Sequence, residues 1–144
     1  MNNLDLKDRV AIITGGAQGF GLAISKRIIE SGGKVVIWDI DEIAVEAALK
    51  EINSNDLSFK KVDVTNFEEI EKALLETENE LGKIDLFVNN AGITGMNAKV
   101  WDYPLDEWKK VIELDLNSTF YCCKAVVPHM IKNNYGRIVN IASI

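Results

Sequence analysis

The sequence predicts a doubly wound α/β fold, a parallel sheet sandwiched between two layers of helices. Strand-like and helix-like patterns alternate along the whole chain. The strand-like runs are continuously apolar rather than alternating, the pattern of strands buried on both faces. Right-handed crossovers then leave few topologies, and a doubly wound sheet is the natural one.

Val10-Ala11-Ile12-Ile13 reads as a short buried strand. Gly19 to Ser31 follows as a helix, with Leu22, Ala23, Ile24, Ile28 and Ile29 on or near one face. Gly32-Gly33 ends it, and Val35 to Trp38 forms the second strand. Asp41 caps a helix that reaches about Ile52. Phe59 to Val64 is the third strand; Asn66 caps the next helix, which stops at Gly82. Ile84 to Val88 is the fourth strand. Pro104 stands near the start of a short helix, and a long helical pattern continues from about Leu105 to Lys132. Gly136 turns the chain into a fifth strand, Arg137 to Ile141.

One domain, residues 1–144, accommodates this length, and a hydrophobic content of 47% is that of a globular chain. No apolar run approaches the roughly 20 residues that cross a bilayer. The polar start, Met1 to Arg9, precedes too short an apolar stretch for a secretory signal, so a cytoplasmic protein is expected. The net charge of −6 without a basic cluster argues against nucleic-acid binding. Cys122 and Cys123 are adjacent and read as packing residues; with His129, the single histidine, they lack zinc-site spacing, and no metal is expected.

The loop Thr14-Gly15-Gly16-Ala17-Gln18-Gly19-Phe20-Gly21 joins the first strand to the first helix. A glycine loop placed there offers unpaired amides and the positive end of the helix dipole, which suits a diphosphate. Gly15 permits a tight turn, Gly19 lets the diphosphate approach and Gly21 lets helix and strand pack. Gly16, Gln18 and Phe20 fall within the same contact loop. Asp39 ends the second strand, eighteen residues after Gly21. An acid there accepts hydrogen bonds from adenosine ribose hydroxyls. A 2′-phosphate beside it would be repelled by roughly 1–4 kcal/mol at about 4 Å. Neither Gln18 nor its neighbour Ile40, also expected at the cofactor, offers a compensating cation. The expected cofactor is therefore NAD(H).

These residues resemble the short-chain dehydrogenase/reductase family, a Rossmann-type fold, over essentially the whole chain. The glycine spacing Thr14-Gly15-x-x-x-Gly19-x-Gly21 is the most specific match. Asn89-Asn90-Ala91-Gly92 after the fourth strand, Asp63-Val64 after the third, and Gly136 to Ser143 match in the same order. The resemblance implies that Asp63 accepts from the adenine amino group while the Val64 backbone meets the ring. It places Asn90, Ala91 and Gly92 along the cofactor cleft. It makes Ser143 the hydroxyl that binds the substrate oxygen.

Two departures stand out. The family's helix asparagine falls on Asp115, whose implied role is to hold a relay water through its backbone carbonyl. That geometry needs a helix kink more than an amide, and a plain solvated acid is the alternative. The family's Tyr-x-x-x-Lys motif should follow Ser143 by about a dozen residues, beyond Ile144. Tyr103, Tyr121 and Tyr135 stand in no such motif. The reading is thus an N-terminal part of an oxidoreductase, incomplete after five strands, with negligible turnover and poor solubility alone. The implied substrate is a small-molecule alcohol or carbonyl compound: a sugar, polyol or 3-oxoacyl thioester. Gly95 to Tyr103, with Trp101, would form one pocket rim. The complete protein would be a homodimer or homotetramer through the long helix. A non-catalytic nucleotide-binding module and a nonfunctional truncated product remain alternatives.

Overall fold

A computed structural model describes residues 4–142. Five strands form one parallel sheet: β1 (Val10–Thr14), β2 (Lys34–Asp39), β3 (Leu57–Lys61), β4 (Leu86–Asn89) and β5 (Arg137–Asn140). Their order across the sheet is β3-β2-β1-β4-β5. The chain winds outward from β1 to β3, then returns to the other side of β1 for β4 and β5. The carboxyl ends of β1 and β4 therefore flank the point where winding reverses, the place where open sheets bind ligands.

Helices α1 (Gly19–Glu30) and α2 (Glu42–Ile52) cover one face; α3 (Phe67–Leu81) and α5 (Ser118–Lys132) cover the other. Alternation along the strands feeds both layers. Ile12, Val36, Trp38 and Phe87 join Ile70, Leu74 and Val126, while Ala11, Ile13, Val35 and Ile37 join Ile28, Val45 and Ala48. Trp38 and Phe87 meet edge to face at 5.4 Å. The expected caps are present: Asp41 accepts from the Ala44 amide, and Asn66 from those of Glu68 and Glu69.

Several boundaries differ from the sequence reading, most by a residue at a strand end, and those of β3, β4 and the long helix matter most. β3 begins at Leu57 and ends at Lys61, because β2, its single partner, stops at the paired Asp39. Val62 and Val64 remain buried, but off the ladder. The β4 ladder begins at Leu86, opposite Ala11, and runs to Asn89. The long helix is not continuous: α4 (Leu105–Ile112) passes through a π turn (Glu113–Asn117) into α5. Side chains compete with the backbone there, since the Ser118 hydroxyl donates to the Leu114 carbonyl and the Thr119 hydroxyl to that of Asp115. β5, although apolar in sequence, is largely exposed, with Val139 half open to solvent. No helix among the described residues is long and apolar enough to cross a membrane.

Asp85 pins the amino end of the sheet. Its buried carboxylate accepts from the Val10 amide at 2.9 Å and from the Arg9 guanidinium at 3.0 Å. Replacing Asp85→Ala orphans that amide and should lower unfolding stability by about 2–3 kcal/mol in urea titrations.

Candidate functional site

The site is built at the carboxyl ends of β1, β2 and β4. Thr14, the last residue of β1, is buried and polar. Its hydroxyl accepts from the Asn90 amide at 2.9 Å and the Ala91 amide at 3.0 Å. The Asn90 side chain answers by donating to the carbonyls of Thr14 and Gly15, both at 3.0 Å. These bonds lock the turn after β4 onto the loop after β1.

The loop then enters α1 through Gly19 at φ +51°. A side chain at this position would point into open space, so the left-handed backbone itself is what demands glycine. Gly21 is required by contact instead. A Cβ there would lie 2.2 Å from the Gly15 carbonyl oxygen and 2.6 Å from Asn90 Nδ2. Its close approach is thus to the loop and to Asn90, a sharper partner than the strand expected from sequence. Gln18 precedes the helix without capping it, leaving first-turn amides for an outside acceptor.

Asp39 turns towards this loop. One carboxylate oxygen accepts from the Ala17 amide at 3.3 Å, the other from the Asp41 amide at 3.0 Å. Beside it lies a cleft of about 210 Å³. From the predicted set, Gly15, Asp39 and Ile40 line one part of it, and Asp63 and Val64 another. Ala91 and Gly92 close it from β4. Trp38, Ile93 and Leu114 complete the wall.

Other predicted residues make contacts outside the cleft wall. Gly16 is packed against Ile37, where a Cβ would meet side-chain atoms at 3.0 Å, so it serves the core. Gln18 donates to Asp41 at 3.1 Å. Phe20 projects into solvent and is outside the cleft wall. Asn90 braces the loop. Ser143 lies outside the described residues.

Asp115 sits in the π turn, where the helix departs from α geometry. Its carboxylate accepts from the Ile93 amide at 2.9 Å and faces Gly92. It therefore holds the segment after β4, and a purely solvated acid does not describe it. From the expected Gly95–Tyr103 rim, Met96, Val100 and Tyr103 join Leu105 and Trp108 around an apolar depression of about 590 Å³. Trp101 instead lies exposed beneath the Lys99 ammonium.

The remaining nucleophile and histidine are structural. Burial pushes the Cys122 thiol up to about 12, which keeps it protonated. His129 Nδ1 lies 3.0 Å from Glu78, joining α5 to α3. Among the described residues no cluster of three metal-binding side chains occurs. Sequence reasoning overlooked Thr14 as a brace, although a hydroxyl ending an apolar strand was a signal. It also missed the Asn89 amide donating to Asn140 at 2.8 Å, a contact between neighbouring strands whose residues are far apart in sequence.

The short chain dehydrogenase family pattern matches residues 9–144, and the chain belongs to that family. It is 42% identical to a Sphingomonas 2-dehydro-3-deoxy-L-rhamnonate dehydrogenase (NAD(+)), over 94% of this chain and 54% of that protein. It is 36% identical to a Chlamydia pneumoniae 3-oxoacyl-acyl-carrier-protein reductase, over 99% of this chain and 58% of that protein. The crystal structure of NAD+-bound xylitol dehydrogenase superposes with a TM-score of 0.89 at 35% identity, over 96% of this chain and 54% of that one. The chain thus spans a little over half the length of the relatives it matches.

The Thr14 brace makes a direct test. Thr14→Val leaves the Asn90 and Ala91 amides without their acceptor and should cost about 1–3 kcal/mol in denaturant unfolding. Thr14→Ser should recover most of that loss.

Proposed function

We propose that this chain binds NAD(H) and forms the dinucleotide-binding part of an oxidoreductase acting on CH–OH groups. The observation that carries the reading is Asp39. Its carboxylate is tied to the glycine loop through the Ala17 amide and lines the same cleft as Asp63, Val64, Ala91 and Gly92. The open space at Gly19 and the uncapped start of α1 fit a diphosphate, and the cleft fits the adenosine end. Gly15, Gly19 and Gly21 shape the diphosphate mouth, and Asp39 accepts from the ribose hydroxyls. Asp63 and Val64 meet the base. The NAD(+) dependence of the similar sugar-acid dehydrogenase and the NAD+ bound to the similar xylitol dehydrogenase support NAD as the cofactor.

When bound, the nicotinamide supplies the hydride acceptor or donor. The chain's contribution is positional: Asp115 holds Ile93 and Gly92, and Ser143 binds the substrate oxygen. In this reading the Asp115 carbonyl, which also accepts from the Thr119 hydroxyl, holds a relay water. We infer a small-molecule alcohol or carbonyl substrate, with a sugar acid favoured over a 3-oxoacyl thioester by the higher identity to the rhamnonate enzyme. Leu116, Phe120 and Ile131, all exposed along the π turn and α5, support assembly of the complete protein as a homodimer or homotetramer.

Isothermal titration should show NAD+ binding about tenfold or more tightly than NADP+, the penalty for a phosphate beside Asp39. Tighter NADP+ binding would overturn the cofactor assignment. Residues 1–144 contain no Tyr-x-x-x-Lys, so the bound chain should form no NADH from polyol or sugar-acid substrates at 340 nm; measurable turnover would show that another group moves the proton.

A further inference from the structure

We infer that discrimination at the ribose 2′ position is made by Glu42 and Lys61 as well as by Asp39, with Glu42 keeping Lys61 from becoming a phosphate ligand. This rests on the proposed NAD(H) reading and extends it to residues that no glycine-loop pattern singles out.

The placement follows from sheet register. Asp39 and Lys61 are paired positions of parallel neighbours. Side chains at such positions leave the same face of the sheet. Asp39 continues Val35 and Ile37, and Lys61 continues Leu57 and Phe59, all on the side covered by α1 and α2. The Lys61 ammonium therefore rises beside the turn that begins at Asp39. It does not bond Asp39 there; it lies 3.2 Å from the Glu42 carboxylate.

That turn is strongly acidic. Asp39, Asp41 and Glu42 fall within four residues, linked by the Asp41 amide bonded to Asp39. Gln18 of the glycine loop donates to Asp41, drawing this carboxylate towards the cofactor mouth. A 2′-phosphate seated beside Asp39 would meet this acidic turn, not one isolated carboxylate. Lys61 is the cation that reaches the turn, and its long flexible stem can redirect the ammonium. Both members of its pair are about 60% exposed, 60% for Lys61 and 62% for Glu42, so the pair is held weakly in water. Neutralising Asp39 alone leaves Glu42 competing for Lys61. Neutralising Glu42 as well releases the ammonium towards the phosphate.

The test is titration of NAD+ and NADP+ into the wild-type chain, Asp39→Asn, the double variant Asp39→Asn/Glu42→Gln, and a triple variant adding Lys61→Met. The double variant should bind NADP+ about tenfold more tightly than Asp39→Asn, with the gain shrinking at high salt. The triple variant should lose that gain. Circular dichroism checks folding, and Glu42→Gln in the wild-type background supplies a second comparison: its NADP+ affinity should rise too, less steeply. No gain in either Glu42 variant, or a gain that survives Lys61→Met, overturns the inference. If the wild type prefers NAD+ while these outcomes occur, the cofactor reading stands and only this inference falls. If the wild type binds neither dinucleotide, both fall together.

Discussion

The close approach of Gly21 to the Gly15 carbonyl and the Asn90 amide is the constraint around which the candidate site is built. It brings α1 down against its own entry loop, leaving no space for a side chain. Thr14 and Asn90 hold the other side of that contact with four hydrogen bonds of 2.9–3.0 Å. The mouth of the helix is therefore set by the sheet beneath it. First-turn amides held in this way need little reorganisation to meet an anion, which is the physical advantage of a preformed site.

The sheet topology supplies the rest. Because β4 returns beside β1, the turn following it lies directly against the glycine loop. Because β2 lies on β1's other flank, Asp39 reaches the Ala17 amide from the opposite direction. Neither contact exists until three strands separated by whole helices are aligned. The π turn adds a further layer: it brings Asp115 against Gly92 and Ile93, so the helix after β4 also braces β4's own loop.

Much of this architecture was readable along the chain. The apolar runs of β1 and β2 marked strands covered on both faces, and Asp41 and Asn66 marked helix starts by the oxygen atoms they place over free amides. Of the cleft residues, Asp39 was legible from its place at the end of β2, while Asp63 and Gly92 came from the family resemblance. Local signals failed where a remote partner made the choice. Phe59, Val62 and Val64 are strand-like residues, yet the ladder stops at Lys61 when β2 runs out. The pattern from Leu105 to Lys132 is helical, but periodicity does not register one wider turn within a long helix. Trp101 and Trp108 are equally apolar, and only the fold puts Trp108 on the depression and Trp101 in solvent.

Sequence by itself determined the alternation of elements, the glycine positions and the acid at the end of β2, because each depends on local sterics, periodicity or the polarity of a few neighbouring residues. Tertiary structure decided which groups those elements serve. Gly16 packs the core, Asn90 clamps the loop, and Lys61 pairs with Glu42. The reason is physical: hydrogen bonds and ion pairs act over a few ångströms, whereas their partners here lie up to 77 residues apart in the chain.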